Sequence, residues 1–355
     1  VTPAGLAIAL VQRGTCTFFA KAANARAAGY DGVVIFNEGQ APLGRDGLLF
    51  GTLGEPVGPI PVIGTTYALG ADLVTRARAG TVTAQLTAST LSEIRPTRNV
   101  LADSAAGRPS RVVVVGVHLD SVSDGPGIND NGSGVATILE IALQVSRLGI
   151  EPRNRLRFAF WGAEESGLMG SQFYIDWLSP AALNAIDSNL NFDMLGSPND
   201  VRFVYDGDGS GTPFAGPPGS DVIEQLFLEQ FQRRRLASLP TAFDGRSDYG
   251  PFIDAGIPAG GLFSGAEGIK SREERRIFGG QAGVAYDACY HQACDTIDNY
   301  SRRALDELGD AAAYVVYRLA MRGRPLVGPE ERSAAAERAR AAAATRLYRG
   351  PRLQR

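Results

Sequence analysis

The sequence predicts an α/β protein whose larger part is a mixed, largely parallel sheet sandwiched by helices, preceded by a small β-rich unit. Three observations carry that reading. From about residue 95 onward, short apolar runs alternate with stretches of helical spacing. Residues 111–117 form a nearly continuous β-branched run, as suits a strand buried on both faces. His118, Glu165 and Asp193 then fall at or just beyond the ends of such runs, where open α/β sheets place their sites.

Taken in order, residues 1–90 read as strands at 6–12, 32–36 and 62–65 between Gly/Pro turns, with one helix at 18–28. Residues 91–325 read as the larger domain. Its first strand, 111–117, is followed by a helix at 134–148, in which Val135, Ile138, Leu139, Ala142 and Val145 recur near helical spacing and Gly149 marks the stop. Strands at 156–161, 190–193 and 258–263 and helices at 170–177, 219–235 and 301–322 complete it. The Ala/Arg-rich tail, 326–355, reads as a frayed helix or a disordered segment.

With 44% hydrophobic and 21% charged residues, the 355-residue chain has the composition of a globular protein of about two domains. A net charge of -3 lacks the basic footprint of a nucleic-acid binder, and no apolar run is long enough to span a bilayer. The start at Val1 reads as the middle of a domain, so any targeting segment is expected upstream. Cys289 and Cys294 are spaced to close a small loop, and a disulfide there implies an oxidising, extracellular compartment. A Cys-x-His-x-x-Cys zinc knuckle is the competing reading, although no second cysteine pair completes a tetrahedron.

The chain has two histidines, and each sits in a carboxylate-bearing phrase: Val-His118-Leu-Asp120-Ser and Cys289-Tyr290-His291-Gln-Ala-Cys294-Asp295. Between them lie Gly-Ile-Asn-Asp130-Asn-Gly-Ser-Gly, Trp161-Gly-Ala-Glu164-Glu165 and Asn-Phe-Asp193-Met194. Two imidazoles with three or four carboxylates match the ligands of a two-zinc hydrolytic site, in which paired ions polarise a carbonyl and activate water. Asp130, on a Gly-rich turn entering a helix, is the candidate bridge, while Ser133 stands nearer the helix start as its cap. Asp120, two residues beyond His118, is expected on the same side of a strand, accepting the second imidazole N–H. Of the adjacent glutamates, one can bind metal while its neighbour moves a proton, and the apolar approach Phe-Ala-Phe-Trp161 is an unlikely route to a merely solvated turn.

These phrases, with Asp244-Gly245-Arg246-Ser247-Asp248-Tyr249-Gly-Pro-Phe252, closely resemble metallopeptidase family 28, the co-catalytic zinc aminopeptidases and their relatives, over residues 95–322. The resemblance implies one zinc on His118 and Asp193, a second on Glu165 and His291, Asp130 bridging, Glu164 as acid/base and Tyr290 stabilising the tetrahedral intermediate. It places Met194, Gly245, Arg246 and Phe263 around the substrate, and matches Asp306 and Asp310 to part of a calcium site found in secreted members. Read by themselves, that pair looks like solvated helix carboxylates. The phrases Val-Gln-Arg13-Gly14-Thr-Cys16-Thr-Phe18 and Gly29-Tyr-Asp-Gly-Val-Val-Ile-Phe-Asn37 resemble the protease-associated domain, a non-catalytic module of secreted peptidases.

The expected function is that of a secreted, monomeric zinc aminopeptidase that removes large apolar, Leu-like residues from peptides, with two zinc ions and calcium as cofactors. One alternative is an exopeptidase of the glutamate-carboxypeptidase type, for which Arg246 is the candidate carboxylate holder. The other is an inactive receptor-like binding protein.

Overall fold

A computed structural model describes residues 5–14, 16–39, 46–49, 51, 53, 57–89 and 95–328, with 334 and 337. The chain divides at Pro96 into two compact units.

In the N-terminal unit, strands β1 (Ile8–Gln12), β2 (Gly32–Phe36) and β3 (Val62–Thr65) form a parallel sheet in that order, joined by helix α1 (Phe18–Ala27) and followed by α2 (Tyr67–Ala79). Thr17 and Thr66 cap the two helices by accepting the Ala20 and Leu69 amides. The second helix is absent from the sequence reading, since Gly70 is its one buried residue and no apolar stripe marks it.

The C-terminal unit contains β4 (Val100–Asp103), β5 (Arg108–His118), α3 (Gly134–Arg147), β6 (Asn154–Trp161), α4 (Met169–Trp177), α5 (Pro180–Ala185) and β7 (Ile186–Phe192). It continues through β8 (Phe203–Tyr205), α6 (Ser220–Arg234), β9 (Leu239–Thr241), α7 (Tyr249–Asp254), β10 (Ala259–Phe263), α8 (Arg272–Phe278) and α9 (Arg302–Ala320). The seven strands lie in the order β4-β6-β5-β7-β10-β8-β9. The core β6-β5-β7-β10 is parallel, while β4 and β8 run antiparallel to their inner neighbours.

Side-chain alternation along β5 divides the core between two faces. Val113, Val115 and Val117 pack with α3, α6 and α9, whereas Val112 and Val114 pack with Trp161, with Tyr174 and Ile175 of α4, and with Phe252 of α7. The order also creates a switch point. From β5 the chain goes through α3 to β6 on one side, then returns to β7 on the other, so the crevice opens at the C-terminal ends of these strands. Helix α3 ends where Gly149 turns left-handed at φ 60°, with the Ile150 amide donating to the Val145 carbonyl.

Of the tail, Val327 is buried and the Leu326 amide donates to Asp187. Beyond residue 328, all but 334 and 337 lie outside the described residues.

Phe227 of α6 is fully buried and meets Phe192 of β7 edge-on, with ring centroids 6.3 Å apart. Phe227→Ala should therefore destabilise the unit by about 3–5 kcal/mol, read as a lower urea midpoint at unchanged slope.

Candidate metal centre

Strand β5 ends at His118, which is 1% exposed, and its ring is fixed by Nδ1, which donates to the main-chain carbonyl of Asp120 at 2.9 Å. Nε2 is thereby turned toward Asp130 Oδ1 at 3.1 Å and Asp193 Oδ1 at 3.2 Å. Asp193, one residue past β7, is oriented from its other oxygen: Ser247 Oγ donates to Oδ2 at 2.7 Å and accepts from Asn191 Nδ2 at 2.8 Å.

Asp130 sits in the tight turn between β5 and α3. Gly127 enters that turn left-handed at φ 65°, and at Gly134 a Cβ would lie 2.3 Å from both Asn131 Oδ1 and the Phe192 carbonyl, so glycine lets the turn settle against the end of β7. Ser133 holds the N-cap position, as expected, but its side chain makes no capping hydrogen bond. Its hydroxyl donates to the Asn129 carbonyl, and Asn131 Oδ1 accepts the Gly134 amide at 3.0 Å. The Asp130 carboxylate is left to the site. Its Oδ1 meets His118, and its Oδ2 lies 3.1 Å from His291 Nε2.

The expected role of the Asp120 carboxylate also needs correction. It lies 3.8 Å from His118 Nδ1, and its two oxygens instead accept the amides of Glu164 at 3.0 Å and Glu165 at 3.1 Å. Strand β5 stops at His118, so the alternation that would have put both side chains on one face does not extend to Asp120. Asp120 is thus the anchor of the glutamate turn. Glu165 Oε2 reaches His291 Nε2 at 3.1 Å, whereas its Oε1 is buried with no hydrogen-bond partner. Glu164 is buried beside them.

His291 and Tyr290 lie in a loop closed by the Cys289–Cys294 disulfide, their rings stacked with centroids 3.8 Å apart. Arg246 donates to Tyr290 Oη at 3.3 Å and to Glu267 at 2.7 Å. Met194 is buried, Phe263 stacks on Phe203, and Gly245, at φ 82°, donates its amide to the Tyr249 hydroxyl. Ala163, Met194 and His291 adopt positive φ of 58°, 54° and 57°. Such values are uncommon for residues with a Cβ and cluster at functional sites.

Asp310 pairs with Arg234 at 2.9 Å, and among the described residues neither Asp306 nor Asp310 belongs to a group of metal-ligating side chains. His118, Asp130 and Glu165 form one such group, and Asp206, Asp208 and Glu224 another. In the second, Asp206 and Glu224 already accept main-chain amides from Gly207, Asp208, Ser210 and Gly211.

The first group is electrostatically tense. Burial opposes charge on His118, yet Asp193, Asp130 and Glu164 raise its pKa well above the ordinary value. Burial likewise works against His291, but Asp130 and Glu165 push it up to about 9. Asp130, despite burial, is held down to about 2 by hydrogen bonds from both imidazoles. Burial raises Glu164 well above the carboxylate range, and pushes Asp248, beneath the site, to about 7. Asp248 and Ser247 carry no role in the sequence reading; both are buried, with Tyr249, and their one signal in the sequence is the run of polar residues Asp244-Gly245-Arg246-Ser247-Asp248.

The model for peptidase family M28 matches residues 99–316, well over half of the chain, and a PA-domain model matches residues 4–73. The chain belongs to peptidase family M28. An aminopeptidase of Pseudomonas aeruginosa is 49% identical over 88% of this chain, which spans 57% of that protein. A probable leucine aminopeptidase 2 of Aspergillus fumigatus is 44% identical over 87% of this chain, spanning 61% of its own length. The chain therefore spans less than two thirds of these relatives. Among solved structures, an aminopeptidase from Aneurinibacillus sp. strain AM-1 superposes with a TM-score of 0.66 at 30% identity, covering 90% of this chain and 70% of that one. A zinc aminopeptidase from Bacillus subtilis gives 0.60 at 26%, covering 91% and 72%.

In this M28 site, each imidazole must give up its proton before Nε2 can take a cation. Affinity for a divalent metal should accordingly fall as pH drops below the His291 value of about 9, with protons released on uptake. Calorimetric titration in buffers of differing ionisation enthalpy measures both, and a pH-independent affinity would contradict the assignment.

Proposed function

We propose that this M28 chain is a zinc-dependent aminopeptidase that removes N-terminal residues, large and apolar ones of the leucine type, from peptides outside the cell. One observation carries the reading: Asp130 turns a different carboxylate oxygen to each of the two imidazoles. The donor set fits two zinc ions: His118 and Asp193 would hold one, His291 and Glu165 the other, and the Asp130 carboxylate would be shared between them. The partnerless Glu165 Oε1 is a further oxygen that a cation would satisfy.

Bound zinc supplies Lewis acidity, polarising the scissile carbonyl and acidifying water. Glu164 does the proton work: burial raises its affinity for a proton, which its carboxylate takes from water and returns to the leaving amine. Tyr290 keeps its phenolic proton, since burial raises its pKa, and donates it as a hydrogen bond to the developing oxyanion, with Arg246 holding the ring oxygen. The acidic surroundings suit a substrate ammonium. Arg246, committed to Glu267 and Tyr290, is poorly disposed to grip a terminal carboxylate, which weighs against the carboxypeptidase reading. The names of the fungal relatives and the apolar Met194 and Phe263 support the leucine preference. The Cys289–Cys294 disulfide supports an extracellular setting.

Chelation should abolish hydrolysis of Leu-p-nitroanilide and zinc should restore it; activity that persists with no metal bound would sink the mechanism. N-acetylation of that substrate should slow it by at least about 10²-fold, because a charge-assisted contact is lost and an acid left unpaired. Comparable rates would move the assignment away from an aminopeptidase. Glu164→Gln should keep its metal and lose about 10²- to 10⁴-fold in kcat, while Glu165→Gln should weaken metal binding; the opposite pattern would reverse the two roles.

A further inference from the structure

Asp295, in the phrase Cys294-Asp295-Thr296, has no part in the chemistry above, yet it is 2% exposed. Its Oδ2 accepts the amide of Asp130 itself at 3.0 Å, and its Oδ1 accepts the Asn129 amide at 2.8 Å and Asn299 Nδ2 at 3.0 Å. A second buried carboxylate, Asp287, mirrors it. Asp287 Oδ1 takes the Cys289 amide at 2.8 Å, Oδ2 takes Asn129 Nδ2 at 2.6 Å, and Asn299 Nδ2 donates to both oxygens. Asn129 Oδ1 in turn accepts the Gly196 amide at 3.0 Å.

These four side chains tie the turn carrying Asp130 to the disulfide loop carrying His291. The tie matters because the two half-sites are supported differently. His118 and Asp193 sit at the ends of β5 and β7, in the hydrogen-bonded heart of the sheet. His291 lies on a loop outside the sheet, with its side chain 36% exposed. Nothing in the strand ladder sets its distance from Asp130. The Asp287/Asp295 pair does so, through main-chain amides on both segments.

We propose that Asp295, with Asp287, Asn129 and Asn299, is a positioning hub that sets the His291 loop against the Asp130 turn, and so governs the metal affinity of the Glu165–His291 side of the site more than that of the His118–Asp193 side, whose two other ligands sit on strand ends. The inference rests on the two-ion reading above. Asp295→Asn preserves size but presents an amide N–H₂ to one of the main-chain donors, which loosens the turn against the loop.

The test is zinc titration of the metal-stripped full chain against a competing chelator, by calorimetry. Wild type should take up two ions. Asp295→Asn should bind the second ion about 10- to 100-fold more weakly, the usual effect of losing a support behind a ligand, and the first, which keeps His118 and Asp193 on the strand ends, with a clearly smaller loss. Equal weakening of both ions, or no change in either, would overturn the hub. Should Asp295→Asn fail to fold, Asn299→Ser keeps both amides on Asp295 while removing the linking amide; selective loss of the second ion supports the proposal, and equal loss overturns it. If wild type takes up one ion or none, the two-ion reading itself falls and takes this inference with it.

Discussion

A single carboxylate, that of Asp130, lies between two imidazoles and serves each with a different oxygen. The rest of the site is arranged around that division. Asp193 joins His118 on one side and Glu165 joins His291 on the other, so buried acids are gathered more densely than their mutual repulsion would allow without positive charge among them. The imidazoles respond by binding protons more tightly, and Asp130 by releasing its own. Cations would relieve the same tension through the same atoms, which is why the arrangement reads as a metal centre and not as a salt-bridge network.

The fold supplies this geometry in two ways. At the switch point, β5, β6 and β7 deliver His118, the glutamate turn and Asp193 from adjacent strand ends, where the ladder fixes their spacing. The remaining parts come from irregular chain, namely the Asp130 turn and the disulfide loop, and there buried carboxylates replace the ladder. Asp120 holds the amides of Glu164 and Glu165, while Asp295 holds those of Asn129 and Asp130. In both cases a carboxylate accepts paired amides, a strong, directional contact that costs the turn its freedom. Left-handed backbone occurs beside these segments, at Ala163, Met194 and His291.

Much of this was legible in the sequence, for identifiable reasons. Strands Gly32–Phe36 and Val62–Thr65 were read with their observed limits, because apolar runs bounded by turn residues leave little choice. The ligand set stood out because histidine is so scarce. What escaped lacked a local signal. Strand Val100–Asp103 is exposed throughout, Leu239–Thr241 is three residues with a proline in the middle, and helix Arg272–Phe278 is mostly charged, although its Ser271/Glu274 capping box was there to be found. Asp120 was misplaced by extending strand alternation past the strand's end. The Asp295 contacts with Asn129 and Asp130 span more than 160 residues of chain, and no spacing rule reaches that far.

The central claim is that Asp130 is shared between two metal ions, and anomalous diffraction at the zinc edge from crystals of the zinc-loaded protein tests it most directly. The account predicts two peaks about 3.5–4 Å apart. One should lie against His118 and Asp193, the other against His291 and Glu165, with an Asp130 oxygen on each. A single peak, or a pair with Asp130 bound to only one ion, would contradict it.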